Sequence, residues 1–350
     1  MRQIPTKQSA DVKLSVSSDS RFPFSPFPIG WYWVEFSENL KKERLYSKQW
    51  MGQQVIYWRD NKGQVCVSEA TCPHLGANLS PELGGKLEDG LVVCPFHGYR
   101  YDVDGRCVRT LSGPSNTPVE LKTFPTYESG GVVFAYWHPD GAEPTWGIPD
   151  LSIGDWSKFL YNSAVIRTHP QETSENGVDI SHLPYVHGYE AVEILKPLVV
   201  EGPCLQNFFR INRRVGPSKL VSFTLDVDVT VTMRGLGFSM IEPVAQEAGI
   251  YVRQLALCTP IDEEHVNFVM AIQTKDIERP NVLIPGLSLL PRRLLNYWLR
   301  KIFFKIYMTD ISQDFHIWEN KKYLTYPRLG PAEQDILRFR RYCEQFHIID

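Results

Sequence analysis

The stretch TCPHLGANLS, residues 71–80, places a cysteine and a histidine one residue apart, and CPFHGY, residues 94–99, places a second such pair two residues apart. Nineteen residues separate His74 from Cys94. Both pairs follow β-rich runs, which predicts that they lie on loops at the ends of strands. The pattern therefore presents two thiols and two imidazoles from two loops, and it constrains the fold of the sequence around them.

Two kinds of metal centre accept such a donor set: a tetrahedral zinc ion, and a two-iron, two-sulfide cluster in which histidines replace two cysteines on one iron. Common zinc fingers supply both cysteines first and both histidines from a following helix, whereas here each loop supplies one of each. This distribution favours the iron–sulfur cluster. Pro73 and Pro95 stiffen the loops, and Gly76 and Gly98 allow the backbone to approach the cluster.

The sequence around the two loops predicts a small all-β module. Residues 53–68 form two β-rich runs about the turn DNKG, residues 90–110 form a second hairpin about Asp104 and Gly105, and residues 130–141 add a strand. The turn-rich segment AEPTWGIPD, residues 142–150, is typical of a domain exit. We expect a flexible leader over 1–20, a cluster-binding domain over 25–145 and a second domain over 146–350.

The second domain mixes strands and helices. Residues 221–232, 250–259 and 265–274 are predicted to be successive strands of an antiparallel sheet. Helical patterns over 173–183, 291–323 and 331–345 flank that sheet, so the chain as a whole is predicted to be α+β.

The composition of the chain bears on its binding partners and on its cellular compartment. A formal net charge of -3 predicts no bulk attraction to nucleic acid. Seven scattered cysteines, an odd number, favour a reducing compartment, and we expect a cytoplasmic protein. The segment 291–308 is amphipathic and basic, which is typical either of a core-facing helix with a solvated side or of peripheral contact with a membrane or an apolar substrate.

A second group of metal-ligating residues occurs in ENGVDISHLPYVHGYE, residues 175–190. His182 and His187 would point about 140° apart on an uninterrupted helix, and we expect Pro184 to break the turn so that both rings converge. Asp310 or Asp314, one turn apart on a predicted helix, is the candidate third ligand. Two histidines and one carboxylate form the facial triad of non-haem iron oxygenases.

The order of these motifs resembles that of the oxygenase component of Rieske non-haem iron oxygenases: C-x-H, C-x-x-H, N-x-x-D-x-x-H-x4-H and a late aspartate. The resemblance implies an all-β Rieske [2Fe-2S] domain followed by a helix-grip catalytic domain, and a homotrimer in which one subunit's cluster faces the next subunit's iron. It also implies three sets of site residues: the cluster ligands Cys72, His74, Cys94 and His97, the mononuclear Fe(II) ligands His182, His187 and Asp314, and the bridging acid Asp179.

Within that family, QDFHIWENKKY, residues 313–323, resembles the D-x-x-I-W-x-x-K segment of the 3-ketosteroid 9α-hydroxylase and Neverland-type cholesterol 7-desaturase branch, which favours Asp314 over Asp310. The branch implies hydroxylation or desaturation of a sterol, a steroid or a comparable apolar polycycle, with O₂ as co-substrate. No G-x-G-x-x-G fingerprint is present in the sequence, so electrons from NAD(P)H would arrive through a separate ferredoxin or flavin reductase.

Two alternatives to this function remain at the level of the sequence. One is an oxygenase or demethylase of a smaller aromatic compound, and the other is a Rieske electron-transfer protein without oxygenase chemistry. For the substrate pocket, which we expect beneath the segment 291–308, the candidate lining residues are Phe208, Phe223, Phe238, Met240 and Phe268.

Overall fold

The computed structural model describes residues 21–114, 118–218 and 221–347. The expected leader over 1–20 lies outside these residues. The observed class is α+β and mostly sheet, as predicted. The domain boundary between residues 145 and 146 stays a prediction.

Short antiparallel strands occupy the first part of the chain. They are β1 (Gly30–Phe36), β2 (Tyr46–Trp50), β3 (Gln53–Arg59), β4 (Val65–Glu69), β5 (Lys86–Glu88), β6 (Leu91–Val93), β7 (Arg100–Tyr101), β8 (Cys107–Thr110), β9 (Gly113–Pro114), β10 (Thr123–Phe124), β11 (Thr126–Ser129) and β12 (Val132–Trp137). They form three sheets, in the orders β1-β12-β11, β10-β4-β3-β2 and β5-β6-β7-β8-β9. Both predicted hairpins are confirmed, since β3 pairs with β4 and β7 pairs with β8.

A long antiparallel sheet dominates the rest of the chain. Its strands are β13 (Leu160–Arg167), β14 (Ala191–Glu201), β15 (Cys204–Ser218), β16 (Val221–Arg234), β17 (Phe238–Ala245), β18 (Ile250–Pro260) and β19 (His265–Thr274). They pair in the order β13-β19-β18-β17-β16-β15-β14. The helices are α1 (Pro170–Glu175), α2 (His182–Val186), α3 (Arg292–Asn320) and α4 (Gln334–Glu344), and single 3₁₀ turns cover Pro81–Leu83, Pro280–Val282, Leu287–Leu289 and Pro331–Glu333.

One of the predicted helices is wrong in its extent. Residues 173–183 were expected to form a continuous helix, but α1 ends at Glu175 and α2 begins only at His182. The intervening turns carry Asn176 and Asp179, whose side chains bond to nearby groups instead of lying along a helix surface. Asp179 accepts from a local backbone amide, a kind of bond that favours turns over helix interiors, whereas the partner of Asn176 is the distant Trp318 side chain.

The helix α3 lies across the seven-stranded sheet and defines the site. At its C-terminal end Trp318 is fully buried and packs against Phe268 of β19, with ring centroids 5.4 Å apart. About two turns before Asp314, the hydroxyl of Tyr307 donates a hydrogen bond of 3.0 Å to the carbonyl oxygen of Leu255 in β18. Near the N-terminal end Leu295 packs into a separate apolar cluster with Ile272. Because α3 is held at both ends, it stands over the sheet and leaves a cavity between them.

The first strands pack directly on this sheet. Trp31 of β1 and Phe134 of β12 share an apolar core with Phe238 and Leu257 of the long sheet. The backbone amide of Met51 donates to the carbonyl oxygen of Pro260 at 2.9 Å. The cluster-binding loops therefore belong to a unit that is anchored to the catalytic sheet through a continuous core.

Candidate active site

The two Cys–His loops have the same backbone hydrogen bonds. In the first loop the amide of Cys72 donates to the carbonyl oxygen of Ala77 and the amide of Gly76 donates back to Cys72. In the second loop Cys94 and Tyr99 form the first of these bonds, and Gly98 and Cys94 form the second. Gly76 and Gly98 have φ angles of 77° and 67°, the left-handed region that favours glycine. Because the two loops have the same backbone geometry, the two cysteines occupy equivalent positions in their loops, and so do the two histidines.

The four side chains that were singled out in these loops converge as two buried thiols and two half-buried imidazoles. The Sγ atom of Cys72 lies 3.1 Å from the hydroxyl oxygen of Tyr101. The rings of His74 and His97 are 4.9 Å apart and meet edge to face. Nδ1 of His97 is buried and has no hydrogen-bond partner within the described residues. An orphaned ring nitrogen and two neighbouring thiols fit a metal cluster bound between the loops.

The two histidines of the second group lie at the two ends of α2. Their ring centroids are 5.2 Å apart, with an angle of 76° between the planes. The expectation that Pro184 breaks the turn is wrong, because α2 runs through that residue and the amide of His187 still donates to Leu183 at 3.1 Å. Pro184 lies in the first turn of the helix, where its missing N–H costs nothing. His187 is the capping residue that directly follows α2, with φ -104° and ψ -7°, and its ring meets that of His182 across the helix end.

The late aspartate reaches these rings from α3. One ligand atom each of His182, His187 and Asp314 lies within 4.8 Å of the other two. Nε2 of His187 is 3.6 Å from Oδ2 of Asp314, close enough for the two atoms to share one ion at about 2.1 Å from each. Two nitrogen donors and one carboxylate fit a mononuclear iron and leave other positions around it open.

In each imidazole, Nδ1 already has a hydrogen-bond partner, and this contact fixes the direction in which Nε2 points. Nδ1 of His182 contacts the carbonyl oxygen of Asp179, which can only accept, so this nitrogen carries the proton. Nδ1 of His187 lies 2.9 Å from Oε1 of Gln313. Nε2 of each ring is therefore left with the lone pair that metal ligation requires, and Nε2 of His187 faces Asp314.

Sequence reasoning missed two polar contacts of this site. Gln313 was not considered, although its position beside Asp314 in QDF was a usable signal. Asn176 was noted as part of the motif without a role, yet its Oδ1 accepts a hydrogen bond of 3.2 Å from Nε1 of Trp318, and its side chain opposes the rise in the pKa of the Asp314 carboxyl. Asn176 thus links the buried tryptophan to the surroundings of the Asp314 carboxylate.

The two remaining acids near the site have other partners. The backbone amide of Ser181 donates to Oδ1 of Asp179 at 3.1 Å, and Oδ2 of Asp179 lies 3.9 Å from Nδ1 of His182. Asp310 is one turn away from Asp314, and its Oδ2 accepts a hydrogen bond of 3.0 Å from the Tyr189 hydroxyl. Asp310 therefore lies in the same cavity but outside the converging group.

Burial sets the charge preferences of the converging group. It lowers the pKa of the His182 imidazole and raises the pKa of the Asp314 carboxyl, in both cases against the attraction between the two groups. A bound cation favours the carboxylate and the neutral imidazole. Metal binding and deprotonation of Asp314 are therefore coupled.

A cavity of about 1060 Å³ extends from these residues between α3 and the sheet. It is large against the roughly 300–1,000 Å³ of most small-molecule sites and is lined mainly by aliphatic and aromatic side chains. Gln254 and Ser239 are among the few polar residues on its sheet wall. A cavity of this size and character accepts a large apolar molecule.

The predicted lining residues are correct only in part. Phe268 lines the cavity, and so do Leu299, Ile302 and Ile306 of the predicted amphipathic segment. Phe238 and Met240 belong instead to the core beneath the sheet, and Phe208 is not among the lining residues. The side chain of Phe223 lies outside the described part of the structure.

Comparison with known protein families decides the assignment. Residues 135–347, more than half of the chain, match the model of the 3-ketosteroid 9α-hydroxylase C-terminal domain, and residues 30–125 match the model of the Rieske [2Fe-2S] domain. The chain belongs to the 3-ketosteroid 9α-hydroxylase family of Rieske oxygenases. This oxygenase is therefore an oxidoreductase that carries a Rieske [2Fe-2S] cluster and a mononuclear non-haem iron.

Curated relatives lie in the same branch. A cholesterol 7-desaturase of Ciona intestinalis is 29% identical over 353 residues, covering 92% of this oxygenase and 69% of the relative. The oxygenase component of the 3-ketosteroid 9α-monooxygenase of Rhodococcus rhodochrous is 25% identical over 338 residues, covering 92% and 83%.

Solved structures share the fold over nearly the full length. Dicamba monooxygenase bound to dicamba superposes with a TM-score of 0.65 at 18% identity, covering 90% of this oxygenase and 96% of that chain. The oxygenase–ferredoxin complex of carbazole 1,9a-dioxygenase gives 0.65 at 15% identity, covering 92% of both chains. Among the described residues, no helix is both long and apolar enough to cross a membrane.

Proposed function

We propose that this chain is the terminal oxygenase component of a multicomponent system that hydroxylates or desaturates a sterol, a steroid or a comparable apolar polycycle. The observation that carries the proposal is the large apolar cavity that ends at His182, His187 and Asp314. Sterol- and steroid-modifying relatives over more than nine-tenths of the chain support the same substrate class. A small aromatic substrate would leave most of this cavity unfilled.

The proposal assigns a role to each site residue. Cys72, His74, Cys94 and His97 hold the [2Fe-2S] cluster, and His182, His187 and Asp314 hold the iron. When bound, the two centres supply single electrons and a site for the activation of O₂. Asp179 is the bridging acid, which orients His182 and would join it to a cluster histidine of a neighbouring subunit.

The residues of this chain contribute to the reaction by positioning the substrate and the metal ligands and by excluding water. The apolar walls remove the substrate from solvent and leave it mobile only along the cavity, so that its reactive carbon is presented to the converging group. The Asp179 carbonyl and Gln313 hold the two imidazoles with Nε2 inward. Asn176, which accepts a hydrogen bond from Trp318, acts on the carboxylate of Asp314. Relatives that desaturate and relatives that hydroxylate differ in the fate of the substrate's second hydrogen, which the position of the substrate in the cavity would determine.

The finer assignments are part of the same proposal. Electrons from NAD(P)H reach the cluster through a ferredoxin, a flavin reductase or both. The active form is a homotrimer in the cytoplasm, in which each cluster serves the iron of the next subunit. The exposed surroundings of His74 and His97, with Leu75 at 66% and Phe96 at 62% exposure, suit a protein surface that becomes covered in such an assembly.

The test is product analysis with a surrogate reductase, labelled O₂ and a panel of sterols, steroids and small aromatic compounds. Labelled hydroxysteroid, or a steroid that has lost two hydrogens without label, supports the proposal. Exclusive turnover of small aromatic compounds contradicts the substrate class. An electron carrier would give no product and about two irons for each two labile sulfides, where the oxygenase should give about three.

A further inference from the structure

One surface of the oxygenase combines a strong positive charge with exposed apolar side chains. The segment 279–309 has no aspartate or glutamate, although the whole chain carries a net charge of -3. Its basic residues are Arg279, Arg292, Arg293, Arg300, Lys301 and Lys305. A local excess of this kind raises the electrostatic potential of the surface well above that of the rest of the molecule.

Large apolar side chains of the same segment are exposed instead of packed. Leu289 is 88% exposed and Trp298 is 54% exposed. On α3, Leu294, Trp298 and Ile302 follow each other at intervals of four residues, which places them on one outward stripe. The ammonium group of Lys301 lies 4.6 Å from the ring centroid of Tyr297 beside this stripe. Of the two interpretations that the sequence leaves open for this segment, the exposed stripe favours peripheral contact over a core-facing helix with a solvated side.

We call this surface the basic apolar face. It is defined by the exposed residues Val282, Ile284, Leu289, Leu290, Arg292, Arg293, Leu294, Tyr297, Trp298, Lys301, Ile302 and Lys305. Its four cations form no ion pair with any described part of the protein, in contrast to Arg167, Arg210 and Arg340 elsewhere. Arg300 beside them is engaged, since its guanidinium donates to the carbonyl oxygen of Lys158.

The basic apolar face is also where the cavity opens. Ile284 and Ile302 line the cavity and are at the same time 51% and 49% exposed. A side chain that contacts both the cavity and the solvent marks an opening between them. The neighbouring residues Leu287 and Leu299 line the cavity from the inner side of the same segment. A binding partner on the basic apolar face would therefore lie at the entrance of the active site.

We propose that the basic apolar face docks on an anionic phospholipid bilayer and that the cavity takes its apolar substrate directly from the acyl region. Exposed leucine and isoleucine side chains together with tryptophan and tyrosine, accompanied by lysine and arginine, are the composition that lies in a bilayer interface. Apolar side chains enter to a depth of roughly 5–10 Å, and the cations contact the lipid phosphates. The identity of the substrate that enters from the bilayer rests on the proposed function. The docking of the basic apolar face on the bilayer does not.

The positive charge of the basic apolar face favours a bilayer over a protein as its binding partner. A protein partner would have to supply acidic residues around a convex apolar stripe, whereas anionic lipid supplies a continuous negative surface and an apolar interior at once. A substrate with very low solubility in water gains from a route that stays in apolar surroundings, because each CH₂ group that crosses water loses the favourable burial. The unpaired state of all four cations and the opening of the cavity at the same place support the bilayer.

The experiment is sedimentation of the full-length holoprotein with vesicles. The probes are vesicles of phosphatidylcholine alone and of phosphatidylcholine with about one-third phosphatidylglycerol. We expect sedimentation only with the anionic vesicles, and weaker sedimentation as salt is raised. The variant Lys301→Glu with Lys305→Glu should lower the affinity by roughly 25-fold or more, since each basic residue near such a surface contributes about fivefold.

The matched control reverses two exposed lysines outside the face, Lys42→Glu with Lys62→Glu, and changes the net charge equally. It should sediment like the unaltered protein. Absence of sedimentation with anionic vesicles, or an equal loss in both variants, overturns the proposal. A change of molar mass by light scattering in the Lys301 and Lys305 variant also overturns it, because a second copy of the chain would then cover the face.

Turnover separates this inference from the proposed function. Neither pair of lysines lines the cavity, so a steroid delivered by cyclodextrin should be converted at the same rate by both variants. A steroid embedded in anionic vesicles should be converted more slowly only by the Lys301 and Lys305 variant. If no steroid is converted by any form while vesicle binding follows the expected pattern, the proposed substrate class fails and the docking surface stands.

Discussion

Nε2 of His187 lies 3.6 Å from Oδ2 of Asp314, although His187 follows α2, Asp314 lies in α3 and the two are far apart in the sequence. Nothing local brings them together: α2 follows the first strand of the long sheet, and α3 crosses that sheet only after its last strand. The contact forms because Trp318 anchors the end of α3 on β19. The metal site is thus a product of the packing of α3, and its integrity should report on that packing.

The first prediction concerns the carboxylate. Asp314→Asn removes the only negative charge of the converging group, and we expect loss of the mononuclear iron with retention of the cluster. Product formation should fall by more than about 100-fold, since even partners outside the ligand shell contribute 10–100-fold. Iron and acid-labile sulfide analysis of the purified variant measures the first effect, and product analysis measures the second.

Asp310→Asn is the matched control for this variant. It removes a carboxylate one turn away, in the same cavity and with Tyr189 as its hydrogen-bond partner. We expect it to keep the full iron content. Full iron content in Asp314→Asn, or a loss of iron in Asp310→Asn alone, would mean that the wrong aspartate has been assigned.

The second prediction tests whether Asn176 positions the carboxylate. Asn176→Ala leaves the indole N–H of a buried tryptophan unpaired, which should lower the free energy of unfolding by about 1–3 kcal/mol. It also removes the influence of Asn176 on the Asp314 carboxylate, so iron affinity should fall by roughly 10–100-fold. Denaturant titration and competition with a chelator measure the two effects.

A double-mutant cycle with Trp318→Phe separates the two contributions. Trp318→Phe removes the donor as well, so the double variant should lose less stability than the sum of the two single variants. The loss of iron affinity should persist, because it follows from the missing influence of Asn176 on the Asp314 carboxylate. Additive losses of stability in the cycle would show that the two side chains act independently.

The third prediction concerns the reduction potential of the cluster. The Tyr101 hydroxyl lies 3.1 Å from Sγ of Cys72, and a donor to a ligating sulfur stabilises the reduced, more negative cluster. Tyr101→Phe should therefore lower the potential, measured by redox titration of the holoprotein. Tyr99→Phe, in a residue that stacks on the ring of His74, should leave it nearly unchanged. Equal shifts in both variants would indicate a general effect of the loops.

Several features of this fold and site were predictable because they depend on short spacings. The two Cys–His loops and the two histidines of α2 were recognised from the sequence, since each pair is fixed by its own turn. The choice between Asp310 and Asp314 needed a family resemblance, because a helix alone shows only that the two share a face.

The sequence did not predict which face of a strand lines the cavity, because that depends on what packs against each face. Phe238 and Met240 were expected to line the cavity, but they face the core with Trp31, while Ser239 and Ile241 between and beside them line the cavity. A strand shows two alternating faces, and the sequence does not show which of them meets α3 when both are apolar. Gln313 was missed for a related reason, because its partner His187 becomes a neighbour only when α3 is in place.

The last prediction concerns acid stability and rests on a residue outside the metal site. His169 is fully buried in front of α1, where its Nδ1 accepts a hydrogen bond from the amide of Gln171 and its Nε2 contacts the carbonyl oxygen of Ser25. Burial lowers its pKa to about 3, with a further contribution from nearby His347. In the unfolded chain the pKa is about 6.5, so below that value the unfolded state binds a proton that the folded state does not.

Stability should therefore fall as the pH decreases from about 6.5 towards 3, and this histidine alone should lower the free energy of unfolding by about 2 kcal/mol between pH 7 and pH 5. Urea titrations at the two pH values measure the difference. His169→Asn keeps an oxygen that can cap α1 but does not titrate, so the difference should shrink by that amount. An unchanged difference would show that His169 is protonated in the folded state as readily as in the unfolded chain, and that its burial in the fold has no energetic consequence for the charge.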